Sequence, residues 1–193
     1  MAVPPPAMRP ESVRRAVRPV FVLACLGTAA WIAAIFLAPY LRSRSSDAGA
    51  SFLYALFAPV CHQIPGRSFF FRGFPLAVCA RCLGIYVGSL AGLVLYPFIR
   101  GFSRIALPAG RLFLLASSPI GLDFAGGLLG LWNSPNGLRF ATGLLWGPLL
   151  PFYFIAGVTE LLLWRTGRRK PSRGLPGTRP GPGLDNRGEK NVK

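Results

Sequence analysis

The sequence predicts an all-α integral membrane protein with four transmembrane helices, one short interfacial or re-entrant helix, and both termini in the cytoplasm. Three observations carry this. Of the 193 residues, 52% are hydrophobic and only 15% charged, which is more apolar than a soluble domain. Four runs, 20–41, 76–99, 112–132 and 140–164, reach the roughly 20 apolar residues that a bilayer crossing needs. The basic residues are distributed unevenly around those runs.

Each element has its own reason. The run 20–41 is longer than the about 7–15 residues of a signal-peptide core and no small-residue cleavage site follows, so it reads as a retained helix. The stretch "FLYALFAP", 52–59, is too short to cross and reads as the interfacial helix. Pro75 suits a first helical turn, where its missing N–H costs nothing, so the second span starts beside it. That span carries Gly84, Gly88 and Gly92, the third carries Gly126 and Gly130, and the fourth carries Gly143 and Gly147. Small residues at this spacing let helix backbones approach closely in lipid. Pro119 in the third span frees the carbonyl near Leu115, which Ser117, Ser118 or a water would satisfy. "NSPNG", 133–137, reads as a tight turn before the last span. The chain thus divides into a disordered basic tail (1–19), a membrane domain (20–164) and a second disordered basic tail (165–193), whose composition cannot bury a core.

Orientation follows from charge. Sixteen basic residues fall with the two tails and the 100–111 connection, and five, Arg42, Arg44, Arg67, Arg72 and Arg139, fall on the other side. The positive-inside rule then places both termini in the cytoplasm of a plasma (inner) membrane. The outer loop is nonetheless basic itself. The net charge of +16 does not indicate a nucleic-acid partner, because no folded soluble domain carries it. The expected partner is the lipid bilayer, with anionic lipid contact by the tails at about 1 kcal/mol per basic residue.

The chemistry-bearing residues lie in "CHQIPGRSFFFRGFPLAVCARC", 61–82. Three readings compete. Cys61, His62, Cys79 and Cys82 have the ligand types of a zinc site, although adjacent Cys61 and His62 point apart, which leaves a three-ligand site plus water. Alternatively, Cys79 and Cys82 share a helix face near an N-terminus, where the dipole favours thiolate. Cys61 is then a third exchanging thiol and Arg81 stabilises the anion. That layout resembles four-helix disulfide-forming membrane oxidoreductases, which implies a quinone as electron acceptor. In the third reading a Cys61 disulfide only pins the loop. Haem attachment is disfavoured because Leu83, not histidine, follows Cys82. Cys25 reads as packing.

Arg81 and Asp123 fall inside spans two and three, and an unpaired charge at depth costs about 2.5 kcal/mol or more, so they are predicted to pair. A non-enzymatic transporter or scaffold is the competing class. Arg67, Arg81, Asp123 and Arg139 would then hold an anionic solute or lipid headgroup, in a polar pocket shared with Gln63, Ser68, Asn133, Ser134 and Asn136.

"CHQIPGRSF", "VCARCLGIYVG", an aspartate near the end of the next span, and "NSPNGLRFATGLLWG" together resemble a bacterial and archaeal family of predicted membrane proteins, domain-of-unknown-function family 2085. The resemblance covers about 51–148. It departs at Leu83, where the family has threonine, and at Phe124, where it has glycine. It implies a membrane bundle and no particular activity.

Overall fold

The computed structural model describes residues 10–102 and 109–165. The C-terminal tail beyond Arg165 and the first nine residues of the N-terminal one lie outside the described residues. Six helices and one small hairpin make up the described chain: α1 (Pro10–Ser43), α2 (Asp47–Phe57), β1 (Phe70–Phe71), β2 (Phe74–Pro75), α3 (Ala80–Ile99), α4 (Gly110–Leu128), α5 (Asn136–Trp146) and α6 (Leu150–Arg165). Among the described residues, three segments are long and apolar enough to cross a membrane: Glu11–Ser43, Ala80–Ile99 and Asn136–Arg165.

α1 begins at Pro10, inside the stretch expected to be a disordered tail. Its first turns bury Val13, Val17 and Val20 against Leu93, Tyr96, Phe152 and Ile155. That apolar stripe continues the helix beyond the hydrophobic run. At its other end, Ile35 and Ala38 pack on Phe57, Ala77 and Val78, so α1 runs antiparallel to α3. α2 lies where the interfacial helix is expected, starting earlier, and packs along the end of α1. At 11 residues it is about 16 Å long, too short to cross.

Pro75 does not open the second span. It pairs with Phe70 in a two-residue antiparallel ladder, while Phe71 pairs with Phe74. Arg72 and Gly73 both take positive φ, 52° and 84°, the signature of a type I′ hairpin turn. The fold is therefore not strictly all-α, and α3 starts only at Ala80, with Cys79 as its N-cap.

α3 and the α5–α6 segment run side by side in the same direction. The backbone of Gly84 meets Phe140, that of Gly88 meets Leu144 and Gly147, and that of Gly92 meets Pro148. Reciprocally, Gly143 meets Arg81 and Gly147 meets Ile85. Further on, the Tyr96 and Phe152 rings lie 5.2 Å apart. A Cβ at Gly88 would stand 2.7 Å from the Leu144 carbonyl oxygen, so the small residues permit direct backbone contact.

The fourth span is not one helix. α5 gives way at Gly147–Leu149 to a 3-10 turn before α6. Pro148 and Pro151 remove the N–H groups that would continue the ladder. Ser89 Oγ donates to Ile85 O at 2.8 Å and to Gly147 O at 3.2 Å, the second being the carbonyl that Pro151 leaves open. In α4, Pro119 frees Leu115 O in the same way, and Ser118 Oγ donates to it at 2.8 Å.

α4 runs antiparallel to α3. Its start packs Phe113 against Trp146 and Tyr153, and Asp123 near its other end meets Arg81 at the start of α3. α4 stops at Leu128, short of the expected 132. Gly130 takes φ 70°, and Leu131 N–H bonds Gly126 O at 2.9 Å, the six-to-one bond of a Schellman cap.

Candidate functional site

The cysteine site is assembled by the loop between α2 and α3. After α2 the chain turns, and Cys61 N–H bonds Phe57 O at 3.0 Å. Gln63 follows with φ 52°, a conformation costly for a side-chain-bearing residue. Its amide holds the turn in place: Nε2 donates to Tyr54 O at 2.7 Å and to Ala77 O at 2.9 Å. The loop after Phe57 is thereby fastened to the segment entering α3, and Cys61 is brought opposite Cys79. The Tyr54 hydroxyl donates to Pro75 O at 2.5 Å, closing the same seam.

The Sγ atoms of Cys61, Cys79 and Cys82 all lie within 4.8 Å of one another. Cys61 is buried, and the other two are half-buried. Cys79 and Cys82 are the N-cap and third residue of α3, and Cys79 N–H donates to Cys61 Sγ at 3.1 Å. The Cys79 thiol, the Cys82 thiol and the Cys79 amide hold the Cys61 thiol well below its ordinary range. The Gln63 backbone amide adds to this. All four cysteines are free thiols. Cys25 packs against the Val13–Val20 core, away from the cluster.

His62 is exposed and is not part of the thiol cluster. Its neighbour Cys61 points inward, and consecutive residues here face opposite ways. The four-ligand set expected from sequence thus comes together as three sulfurs.

Arg81 and Asp123 form an ion pair in which Arg81 Nη2 donates to Asp123 Oδ2. Both residues lie nearer their helix ends than the sequence placed them. Arg81 is in the first turn of α3, and Asp123 is about 8 Å from the end of α4, because both helices are shorter than their hydrophobic runs. Ser134 Oγ donates to the other Asp123 oxygen. Arg139, only 5% exposed, donates from Nε to Ser134 O at 2.8 Å and from Nη2 to Asn133 Oδ1 at 3.1 Å. Asn136 Nδ2 donates to Ser68 O at 3.1 Å, and the buried Ser68 hydroxyl donates to Ile64 O at 3.0 Å. Arg67 is exposed, in a 3-10 turn at Pro65–Arg67.

These polar residues do gather at one end of the bundle, and the structure gives most of them protein partners. Arg139 anchors the turn that starts α5, which accounts for an arginine opening an apolar helix. Arg81 turns its guanidinium to Asp123, with its Cζ 5.8 Å from the Phe124 ring. The sequence reading missed Gln63 as the clamp on the loop. Its only sequence signal is a polar residue two positions after Cys61, and nothing local reveals its positive φ.

The family of predicted membrane proteins DUF2085 matches residues 61–153, from the first clustered cysteine to the start of α6. The uncharacterized protein MJ1492 of Methanocaldococcus jannaschii is 34% identical over 133 residues, 66% of this chain and 85% of that protein. The chain belongs to the DUF2085 family. An uncharacterized protein of Methanothermobacter thermautotrophicus is 46% identical over 43 residues, 22% of this chain and 38% of that relative. No solved structure matches. The protein is thus a helical, multi-pass membrane protein, and the 51–148 segment singled out by its motifs overlaps most of the matched region.

Proposed function

We propose that Cys61, Cys79 and Cys82 form a thiolate centre for a soft metal ion of the zinc class, at the extracytoplasmic end of a four-crossing bundle in the plasma membrane. The observation that carries this is the convergence of three sulfurs within 4.8 Å. An exchange pair needs only two. Three thiolates at this spacing repel one another unless a cation neutralises them, and thiolate sets favour zinc or copper(I). With three protein ligands, one coordination position stays open to water or substrate, as in catalytic rather than structural zinc sites. When bound, such an ion supplies a Lewis acid. The chain's own residues orient the thiols through the Cys79 amide and the Gln63 clamp.

The topology supports the fourth crossing. α3 and α5–α6 run the same way, so the chain must return between them. α4, at 19 residues, spans about 28 Å, close to the hydrocarbon thickness. Pro10 and Arg165 then lie on one side, which the charge distribution makes cytoplasmic, with the cysteines on the other.

Thiol–disulfide chemistry is the second reading, favoured by the placing of Cys79 and Cys82 in a helix first turn with Cys61 beside both. In that chemistry the Cys61 thiolate attacks one sulfur of a Cys79–Cys82 disulfide. The S–S bond breaks and the other sulfur leaves as thiolate, with no external oxidant consumed. A role for Arg81 as anion stabiliser has less support, because its charge faces Asp123. An anionic solute held by Arg67, Arg81, Asp123 and Arg139 has less support for the same reason.

The test is metal analysis of full-length protein purified without chelator, together with alkylation mass spectrometry. About one ion per chain, lost in Cys82→Ser, and thiols that become alkylated only after chelation, support the metal centre. A metal-free protein with a Cys79–Cys82 disulfide readily opened by dithiol overturns it in favour of exchange chemistry.

A further inference from the structure

We propose that the corner formed by Arg42, Arg44 and Arg72 is a binding site for the phosphate headgroup of an anionic phospholipid. The three come from two separate elements. Arg42 and Arg44 leave the end of α1, and Arg72 is at the tip of the β1–β2 hairpin, which packs against α1. The Arg72 and Arg44 guanidinium carbons lie 5.0 Å and 5.7 Å from the centroid of one ring, that of Tyr40. Two like charges are thus held around a single aromatic ring, which offsets part of their repulsion.

Two of the three charges at this corner, those of Arg44 and Arg72, meet no carboxylate among the described residues. Arg42 pairs with Asp47 at 3.3 Å. The other described carboxylates are elsewhere: Asp123 is paired to Arg81, Glu11 is in the first turn of α1 and Glu160 is in α6, both far along the bundle. Arg44 and Arg72 are both exposed. An anion is the missing partner.

Depth selects the source of that anion. One turn before Tyr40, α1 presents Phe36 and Leu37 outward, 39% and 44% exposed, and the Phe36 ring stands edge-on to Phe71 at 6.2 Å. Phe70, beside it on the hairpin, is 60% exposed. The exposed Phe36, Leu37 and Phe70 suit hydrocarbon, and Tyr40, one turn beyond Phe36, is of the amphipathic type that sits at the water–hydrocarbon boundary, so the arginines around its ring stand among the headgroups. Guanidinium is the group of choice for bidentate phosphate contact. The site explains why the loop expected outside is basic against the usual charge bias. It is independent of the thiol reading, and it differs from the contacts expected of the tails.

The experiment reconstitutes the full-length protein in phosphatidylcholine vesicles containing spin-labelled phosphatidylglycerol or spin-labelled phosphatidylcholine. It reads the relative association of the two lipids by electron paramagnetic resonance. The wild type is expected to prefer phosphatidylglycerol, and Arg72→Gln and Arg44→Gln each to lower that preference about fivefold. Arg42→Gln, whose charge Asp47 already meets, lowers it less, and Arg72→Lys restores only part. An unchanged preference in the Arg44→Gln/Arg72→Gln double variant overturns the proposal. So does full displacement of the labelled lipid by soluble glycerol phosphate, which would indicate a site for free phosphate.

Discussion

Replacing Asp123 with asparagine keeps its size and removes its charge. The Asp123 side chain is 4% exposed and that of Arg81 17%, so the arginine is left with an uncompensated charge in a poorly solvated place. Breaking such a pair from one side costs about 3–5 kcal/mol. Ser134 also loses its charged acceptor, a hydrogen bond worth about 1.5–3 kcal/mol in net terms, though the asparagine oxygen retrieves part of that. The lower figure alone shifts the folded-to-unfolded ratio roughly a hundredfold. The assay is unfolding of full-length protein in mixed micelles by titration with anionic detergent, followed by tryptophan fluorescence. Because the penalty arises from an orphaned charge, the double variant Arg81→Met/Asp123→Leu is expected to be more stable than either single change. An Asp123→Asn protein within about 0.5 kcal/mol of wild type, or a double variant whose loss equals the sum of the singles, would refute the reasoning.

Gly88→Ala is expected to destabilise by about 1–3 kcal/mol through overpacking, despite a gain of about 1 kcal/mol in helix propensity, because its Cβ meets the Leu144 carbonyl. Gly27→Ala in α1, with nothing within 4 Å, is expected to be neutral or slightly stabilising in the same titration. Gln63→Ala loses both carbonyl contacts and leaves alanine at φ 52°. Gln63→Gly relieves the backbone alone, so glycine should recover stability over alanine, while both variants weaken metal retention about 10–100-fold on chelator titration. With metal removed, thiolate ultraviolet absorbance should show one sulfur ionised below the ordinary thiol range, and Cys79→Ser/Cys82→Ser should return it there. Since the folded-state value is depressed, that thiolate stabilises the fold above the ordinary thiol pKa. The contribution is lost as pH falls through the depressed value.

Much of the bundle was legible because lipid imposes simple demands. Backbone groups must be satisfied within a helix, so long apolar runs announced α1, α3 and α6, and the glycine spacing announced close packing without telling which helices meet. Ser118 was one of the groups foreseen as satisfying the carbonyl freed by Pro119. The Arg81–Asp123 pair was foreseeable because two charges of opposite sign in apolar runs have few other partners. Helix ends were less legible. Pro75 suits a helix start and a strand edge equally, and Arg72–Gly73 is not among the commonest type I′ pairs. Pro148 and Pro151 were hidden inside a run whose hydrophobicity does not change at the break.

The sequence by itself determined that this chain lives in a membrane, which segments are helical, and that three thiols and a histidine fall near one end. Only the tertiary structure decided that the thiols meet while His62 turns away, that Arg139 holds a turn, and that Arg44 and Arg72 share one ring. Hydrophobic runs and small-residue spacing are local properties of the chain. The direction of a loop side chain depends on carbonyls distant in sequence, here those of Tyr54 and Ala77, which a single amide draws together.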